Sequence, residues 1–253
     1  MRYFIQFSYR GSNYHGSQTQ PNGITVQEVL ERALETILRI STPLIFAGRT
    51  DAGVHAEMMY AHFESEIEPS FLTDTLPARL NNLLPADIAI RTIVPVANEA
   101  HARFNALSRT YEYRIIWRKD VFKKGLITRV APGLDFERMN EAAGLLLGKQ
   151  DFASFCRIHT DVKTTLCDVR YARWSVDTDK QEAVFTIQAD RFLRNMVRAV
   201  VGTLFEVGRH HTDMEGLRKI IAGKNRSLAG NSVSPDGLYL VDIHYPEELF
   251  LKH

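Results

Sequence analysis

Cysteine is scarce in this 253-residue chain: Cys156 and Cys167 are the only two. That is too few for a disulfide framework or a four-cysteine zinc site. No run of 18 or more apolar residues occurs, so no membrane-spanning helix is expected. The opening MRYFIQFSYRGS is cut by Gln6 and Arg10 and lacks the small-residue cleavage site of a secretory leader. Also missing are the phosphate loop G-x-x-x-x-G-K-[ST], a G-x-G-x-x-G after a strand, a G-x-S-x-G elbow, and H-E-x-x-H or C-x-x-C spacing. Those absences count against P-loop enzymes, dinucleotide enzymes, serine hydrolases and zinc enzymes. His55, His62 and His101 therefore read as structural rather than as metal ligands. The expectation is a cytoplasmic protein with no metal and no membrane contact.

What is present fits a globular chain. Hydrophobic residues make up 45% and charged residues 24%, enough for a core without staples. The net charge of +1 hides an asymmetry. Residues 1–100 hold 7 basic and 11 acidic side chains, and the remainder holds 24 and 19. Two segments carry the excess, each with eight Arg or Lys: residues 101–130 and residues 191–226. The first is interleaved with Phe104, Tyr111, Tyr113 and Trp117, a composition suited to phosphate contact and base stacking.

Periodicity divides the chain into two similar halves. Met1–Tyr9 alternates as a strand, and Thr25 with Glu28 opens a helix as a capping box. Leu44–Ala47 and His55–Phe63 read as strands, Ser70–Leu84 as a helix stopped by Pro85, and Ile88–Val96 as a strand. In the second half Arg109–Trp117, Asp168–Val176, Ala183–Ala189 and Leu238–His244 read as strands. Asp135–Leu147, Arg191–Val207 and a short stretch near Asp213–Ala222 read as helices. The order β-α-β-β-α-β occurs twice, with one extra helix. The expected fold is α+β: two ferredoxin-like (RRM-like) units with antiparallel sheets forming a central cleft. The expected domains are residues 1–100, holding the loop described next, and residues 101–253, holding the basic helix and a dimer interface.

Between two apolar strands lies Gly48-Arg49-Thr50-Asp51-Ala52-Gly53-Val54-His55-Ala56. The glycines permit a sharp turn or close approach, and Asp51 is carried between them. No second carboxylate is paired with it, so the glycosidase arrangement is absent. Two readings survive: a tight turn whose aspartate bonds its own backbone, or a lone carboxylate as nucleophile or base. On the 191–207 helix, Arg191, Arg194 and Arg198 would share one face with Gly202, which would allow close backbone approach.

The sequence GRTDAGVHA resembles the central motif of the TruA family of tRNA pseudouridine synthases. Six further blocks are similar in the same order: YRGSNYHGSQTQPNGITVQEVLERAL, NNLLPADIAI, HARFNALSRTYEYRI, LLGKQDFASF, RFLRNMVRAVVGTLFEVG and GLYLVDIHYP. The resemblance implies isomerisation of uridine to pseudouridine in the anticodon stem-loop, at nucleotides 38–40, without a cofactor. It implies Asp51 as the attacking carboxylate, Arg198 as its basic partner and Tyr111 as the ring stacked on the target base. Arg49 would assist base flipping, and Leu238 and Leu240 would give the pocket an apolar wall. RNA contacts are expected from Arg10, Gln18, Arg103, Arg109, Arg191 and Arg194, and the partners are tRNA and a second copy in a homodimer. The chain departs from the family pattern at Ser17, usually Trp, at Gln150, usually His or Asn, and at Leu166-Cys167 near a usual Arg. These departures bear on RNA contact. Two other classes fit less of the sequence. A non-catalytic RNA binder has no need of Asp51, and no RNP1 string is present. A hydrolase of free nucleosides leaves the basic stretches unused.

Overall fold

Alternation in RYFIQFSY builds β1 (Arg2–Tyr9), the centre of the first sheet. The structure, a computed structural model, describes residues 1–157 and 164–251. After β1 the chain turns through Gly11–Asn13 and enters α1 (Val26–Leu38). Thr25 caps that helix by accepting the Glu28 N–H, as its sequence requires. Val26, Leu30, Ala33 and Leu34 form the buried stripe, and Arg39, left-handed at φ 61°, ends the helix. Next come β2 (Ile45–Phe46) and β3 (His55–Glu64). The expected 70–84 helix is a π-helical turn, Phe71–Thr75, followed by α2 (Leu76–Leu83). It stops at Leu84, whose extended backbone is what the following Pro85 demands. β4 (Ile88–Val96) returns beside β1. The strands run β4-β1-β3, with β2 also paired to β3, and every one of these pairs is antiparallel.

The second set starts with β5 (Ser108–Ile116), paired in parallel with β6 (Thr128–Arg129). α3 (Phe136–Gly144) is capped by Asp135. β7 (Gly148–Asp151), β8 (Leu166–Asp177) and β9 (Glu182–Ala189) complete the order β5-β9-β8-β7, all antiparallel. α4 (Met196–Gly208) and α5 (Met214–Gly223) follow. Buried Trp174 anchors the core, its ring 5.2 Å from Phe185, 5.7 Å from Phe136 and 5.9 Å from Phe205. Asn140 of α3 fixes β8 beneath it by bonding both backbone groups of Trp174. The last strand is β10 (Leu238–His244). The chain is thus mixed α+β.

Two compact units result: Met1–Leu107 with Leu240–His253, and Ser108–Tyr239. The sequence reading put the boundary after residue 100 and kept the whole C-terminus with the second half. Residues 101–107 and 240–251 instead join the first unit, for visible reasons. The Leu107 N–H donates to His244 O, and the Tyr245 hydroxyl donates to Ala102 O at 2.5 Å. The Tyr245 ring lies 5.2 Å from both Phe4 and Tyr60. The C-terminal segment therefore covers the face of β1 that carries Phe4. No helix among the described residues is long and apolar enough to cross a membrane.

Two other expectations change. β6 and β7 were not foreseen. More important, the expected helix over Arg191–Val207 begins only at Met196. Asn195 sits at φ 67°, a left-handed conformation that a helix interior excludes. Arg191 and Arg194 therefore belong to the preceding loop and share no helical face with Arg198.

Candidate active site

The chain from Gly48 to Val54 forms a loop between β2 and β3, and its first anchor is Thr50. The Thr50 hydroxyl lies 2.8 Å from the Tyr9 hydroxyl at the end of β1. Its N–H donates to Ser17 Oγ at 2.8 Å, and its carbonyl accepts the Ser17 N–H at 3.3 Å. Both side-chain bonds are buried. Asp51 follows, half-buried, and its carbonyl accepts the Val54 N–H, closing the turn. Gly53 supplies the positive φ of that turn, 82°, and its N–H donates to Tyr14 O. Beneath the loop, His55 Nδ1 accepts the Gly11 N–H at 3.1 Å in a buried bond. The carboxylate is thus presented from a segment braced by β1, by the Gly11–Ser17 stretch and by the start of β3. Arg49, beside it, is exposed.

The opening loop is itself pinned to the turn between α2 and β4. Tyr14 donates to Asp87 Oδ1, Asn13 donates to Asp87 Oδ2, and the Arg10 N–H donates to Asp87 O. Burial, followed by the bond and charge of Asp87, pushes the Tyr14 phenol up, so it stays a donor. Arg10 and Gln18 are exposed on this loop. Ser17 is not: its relative exposure is 0%. The departure from the family pattern at this position lies under the Asp51 loop rather than on an RNA-facing surface.

The three histidines have one local role in common. His62 Nδ1 accepts the Ala102 N–H and His101 Nδ1 accepts the Arg103 N–H, as His55 does for Gly11. Arg103 is exposed, its guanidinium 5.6 Å from the ring of Phe104, which is itself 74% exposed.

In the second unit, Tyr111 is half-buried on β5, with the ring of Phe192 edge-on at 5.0 Å. Its strand neighbours are structural. Tyr113 is buried and bonded to Thr128 and Ser234, and Trp117 packs on Phe136. Arg198 is half-buried in the first turn of α4, and its Nε donates to Val233 O at 2.7 Å. Arg109 donates to Asp190 O, and Asp190 Oδ1 accepts the Arg191 N–H. Arg194 is exposed. Leu238 and Leu240 are both buried. Gly202 does receive a close backbone approach, from the chain's own residues 230–231.

Much of the basic excess is internally matched. Arg114 pairs with Glu112, Arg118 with Asp120, Lys123 with Glu182, Arg209 with Glu206 and Lys224 with Asp151. Gln150 donates to Leu145 O and Leu147 O, closing the end of α3. Leu166 is exposed, whereas Cys167 is buried, with its thiol pushed up to about 12 by burial. Sequence reasoning missed Tyr9, Ser17 and Thr50 as supports of the Asp51 loop. The one signal available was the departure at Ser17.

Known proteins share this chain's sequence almost end to end. A family model described as tRNA pseudouridine synthase matches residues 142–246. The tRNA pseudouridine synthase A of Parabacteroides distasonis is 53% identical over 249 residues, covering 98% of each chain. That of Bacteroides fragilis is 51% identical over 249 residues, again 98% of each. That of Exiguobacterium sibiricum is 33% identical over 246 residues, 97% of each. The mixed α+β chain with its braced carboxylate is thus an isomerase acting on tRNA, of the pseudouridine synthase class. Within that class it belongs to the tRNA pseudouridine synthase A family.

Proposed function

We propose that this enzyme converts uridine to pseudouridine in the anticodon stem-loop, at nucleotides 38–40, with Asp51 as nucleophile and no cofactor. The N1–C1′ bond breaks and a C5–C1′ bond forms. C5 loses a proton and N1 gains one, so the atoms balance without an oxidant or reductant. The observation that carries the reading is the braced loop: Asp51 follows a residue whose N–H, carbonyl and hydroxyl are all bonded. A carboxylate held this way gains the orientation a nucleophile needs.

The other roles follow the family resemblance. Arg198 takes the family's role of basic partner. Tyr111 stacks on the base, a contact worth about 1–3 kcal/mol. Arg49 assists flipping, which costs on the order of a few kcal/mol. Leu238 and Leu240 give the pocket its apolar wall. Arg10, Gln18, Arg103, Arg109, Arg191 and Arg194 hold the RNA backbone. The enzyme works in the cytoplasm as a homodimer, and each of its two halves follows the ferredoxin-like plan. The antiparallel pairings of β1 with β4 and β3, and of β2 with β3, support that plan in the first half.

The test uses an unmodified tRNA transcript with uridines at 38–40, wild-type protein and Asp51→Ala. Pseudouridine is mapped by carbodiimide-blocked primer extension. Stops at those positions with wild type alone are expected. Stops at other positions, or equal stops with Asp51→Ala, would overturn the assignment.

A further inference from the structure

The strongest unassigned feature is what holds Thr50. We propose that Ser17 and Tyr9 are positioning residues for the isomerisation, acting through Thr50 to fix the Asp51 carboxylate. The proposal rests on Asp51 being the nucleophile.

Three observations carry it. Ser17 is fully buried, yet its hydroxyl is spent on a neighbouring backbone, the Thr50 N–H at 2.8 Å. Its own N–H returns a bond to Thr50 O, so one residue grips both backbone groups of the other. From the opposite direction the Tyr9 hydroxyl reaches Thr50 Oγ1 at 2.8 Å, also buried. Thr50 is itself only 8% exposed.

The grip is anchored in regular structure at both ends. Ser17 O accepts the Gln27 N–H in the first turn of α1, tying Ser17 to that helix start. Tyr9 is the last residue of β1, paired with Ala56 of β3. Movement of Thr50 would therefore break buried bonds, leaving polar groups without water to replace them. Asp51 is one peptide further along and inherits that rigidity. A misplacement of about 1 Å at a reacting group can cost 100-fold in rate. This is the scale on which two hydroxyl oxygens can matter without touching the RNA.

Ser17→Ala and Tyr9→Phe each delete one oxygen and add no heavy atom. Single-turnover rates at saturating tRNA transcript, filter-binding affinity at fixed salt and melting temperature are measured for both, with Asp51→Ala alongside. The expected result is a rate lowered about 10- to 100-fold in Ser17→Ala, with tRNA affinity within about twofold of wild type. Ser17→Thr, which keeps the acceptor, recovers a rate above that of Ser17→Ala. A wild-type rate in folded Ser17→Ala, or a loss confined to affinity, overturns the proposal while an inactive Asp51→Ala leaves the nucleophile reading intact. An active Asp51→Ala overturns both. Should Ser17→Ala fail to fold, Tyr9→Phe decides alone: a slowed rate at unchanged affinity supports the positioning role, and an unchanged rate refutes it.

Discussion

Gly11 touches the back of the Asp51 loop, and its lack of a side chain is what allows this. A Cβ at Gly11 would lie 2.0 Å from Val54 O, a backbone atom with nowhere to retreat. Gly11→Ala must push Val54, and with it the turn closed by Asp51 and Val54. It is expected to destabilise the protein by about 2–4 kcal/mol and to slow turnover more than it weakens tRNA binding. Denaturant melts and single-turnover rates on the same preparation check this, and a wild-type rate would show that the loop tolerates the shift. At this scale the sequence was informative about chemistry and silent about support. Asp51 stood out because GRTDAGVHA resembles the central motif of the family; on spacing alone a turn aspartate bonding its own backbone explains it as well. Thr50 and Tyr9 carried no signal, and Ser17 only its departure from the family pattern, because hydrogen bonds spanning 33 and 41 positions follow no local spacing.

Among elements, the telling contact is where residues 230–231 cross α4. A Cβ at Gly202 would stand 1.8 Å from Asn231 O, and the Gly230 N–H donates to Thr203 Oγ1 at 2.9 Å. Asn195 and Arg226 reach the same crossing through Ser232. Gly202→Ala should cost about 2–4 kcal/mol by forcing helix and crossing segment apart. The urea midpoint reads it, and a midpoint within error of wild type would mean the segment can lift off. The strands were legible because their alternation survives burial on one face, as in β9 with its strict buried-intermediate pattern. α1 was legible from its cap. The start of α4 was not. Leu193 continues the hydrophobic period of Met196, Val197, Val200, Val201 and Leu204, but the left-handed Asn195 interrupts the backbone without changing that period. β6 and β7, two and four residues long, are defined by their partners rather than by any pattern of their own.

For the molecule as a whole, one buried histidine sets an acid limit. Burial, then the neighbouring His101 and Arg2, lowers the His62 pKa from 6.5 to about 4. In the unfolded chain the imidazole protonates at its ordinary value. Between these two values the unfolded state binds more protons, so stability falls as pH drops through that window. The melting temperature should therefore decline from about pH 7 to about pH 4.5 more steeply in wild type than in His62→Gln, whatever their absolute values. Parallel slopes would remove His62 as the cause. The order of elements at this scale was readable, whereas the destination of the last strand was not. Nothing local in Leu238–His244 says that its later residues and Tyr245 will complete the first unit rather than the second.

That return of the chain has a consequence for synthesis. The first 107 residues emerge from the ribosome long before the segment that covers Phe4 and Tyr60 has been translated. Until then Phe4 and Tyr60 lack the Tyr245 ring that packs on both, and the nascent half carries these two rings without that cover.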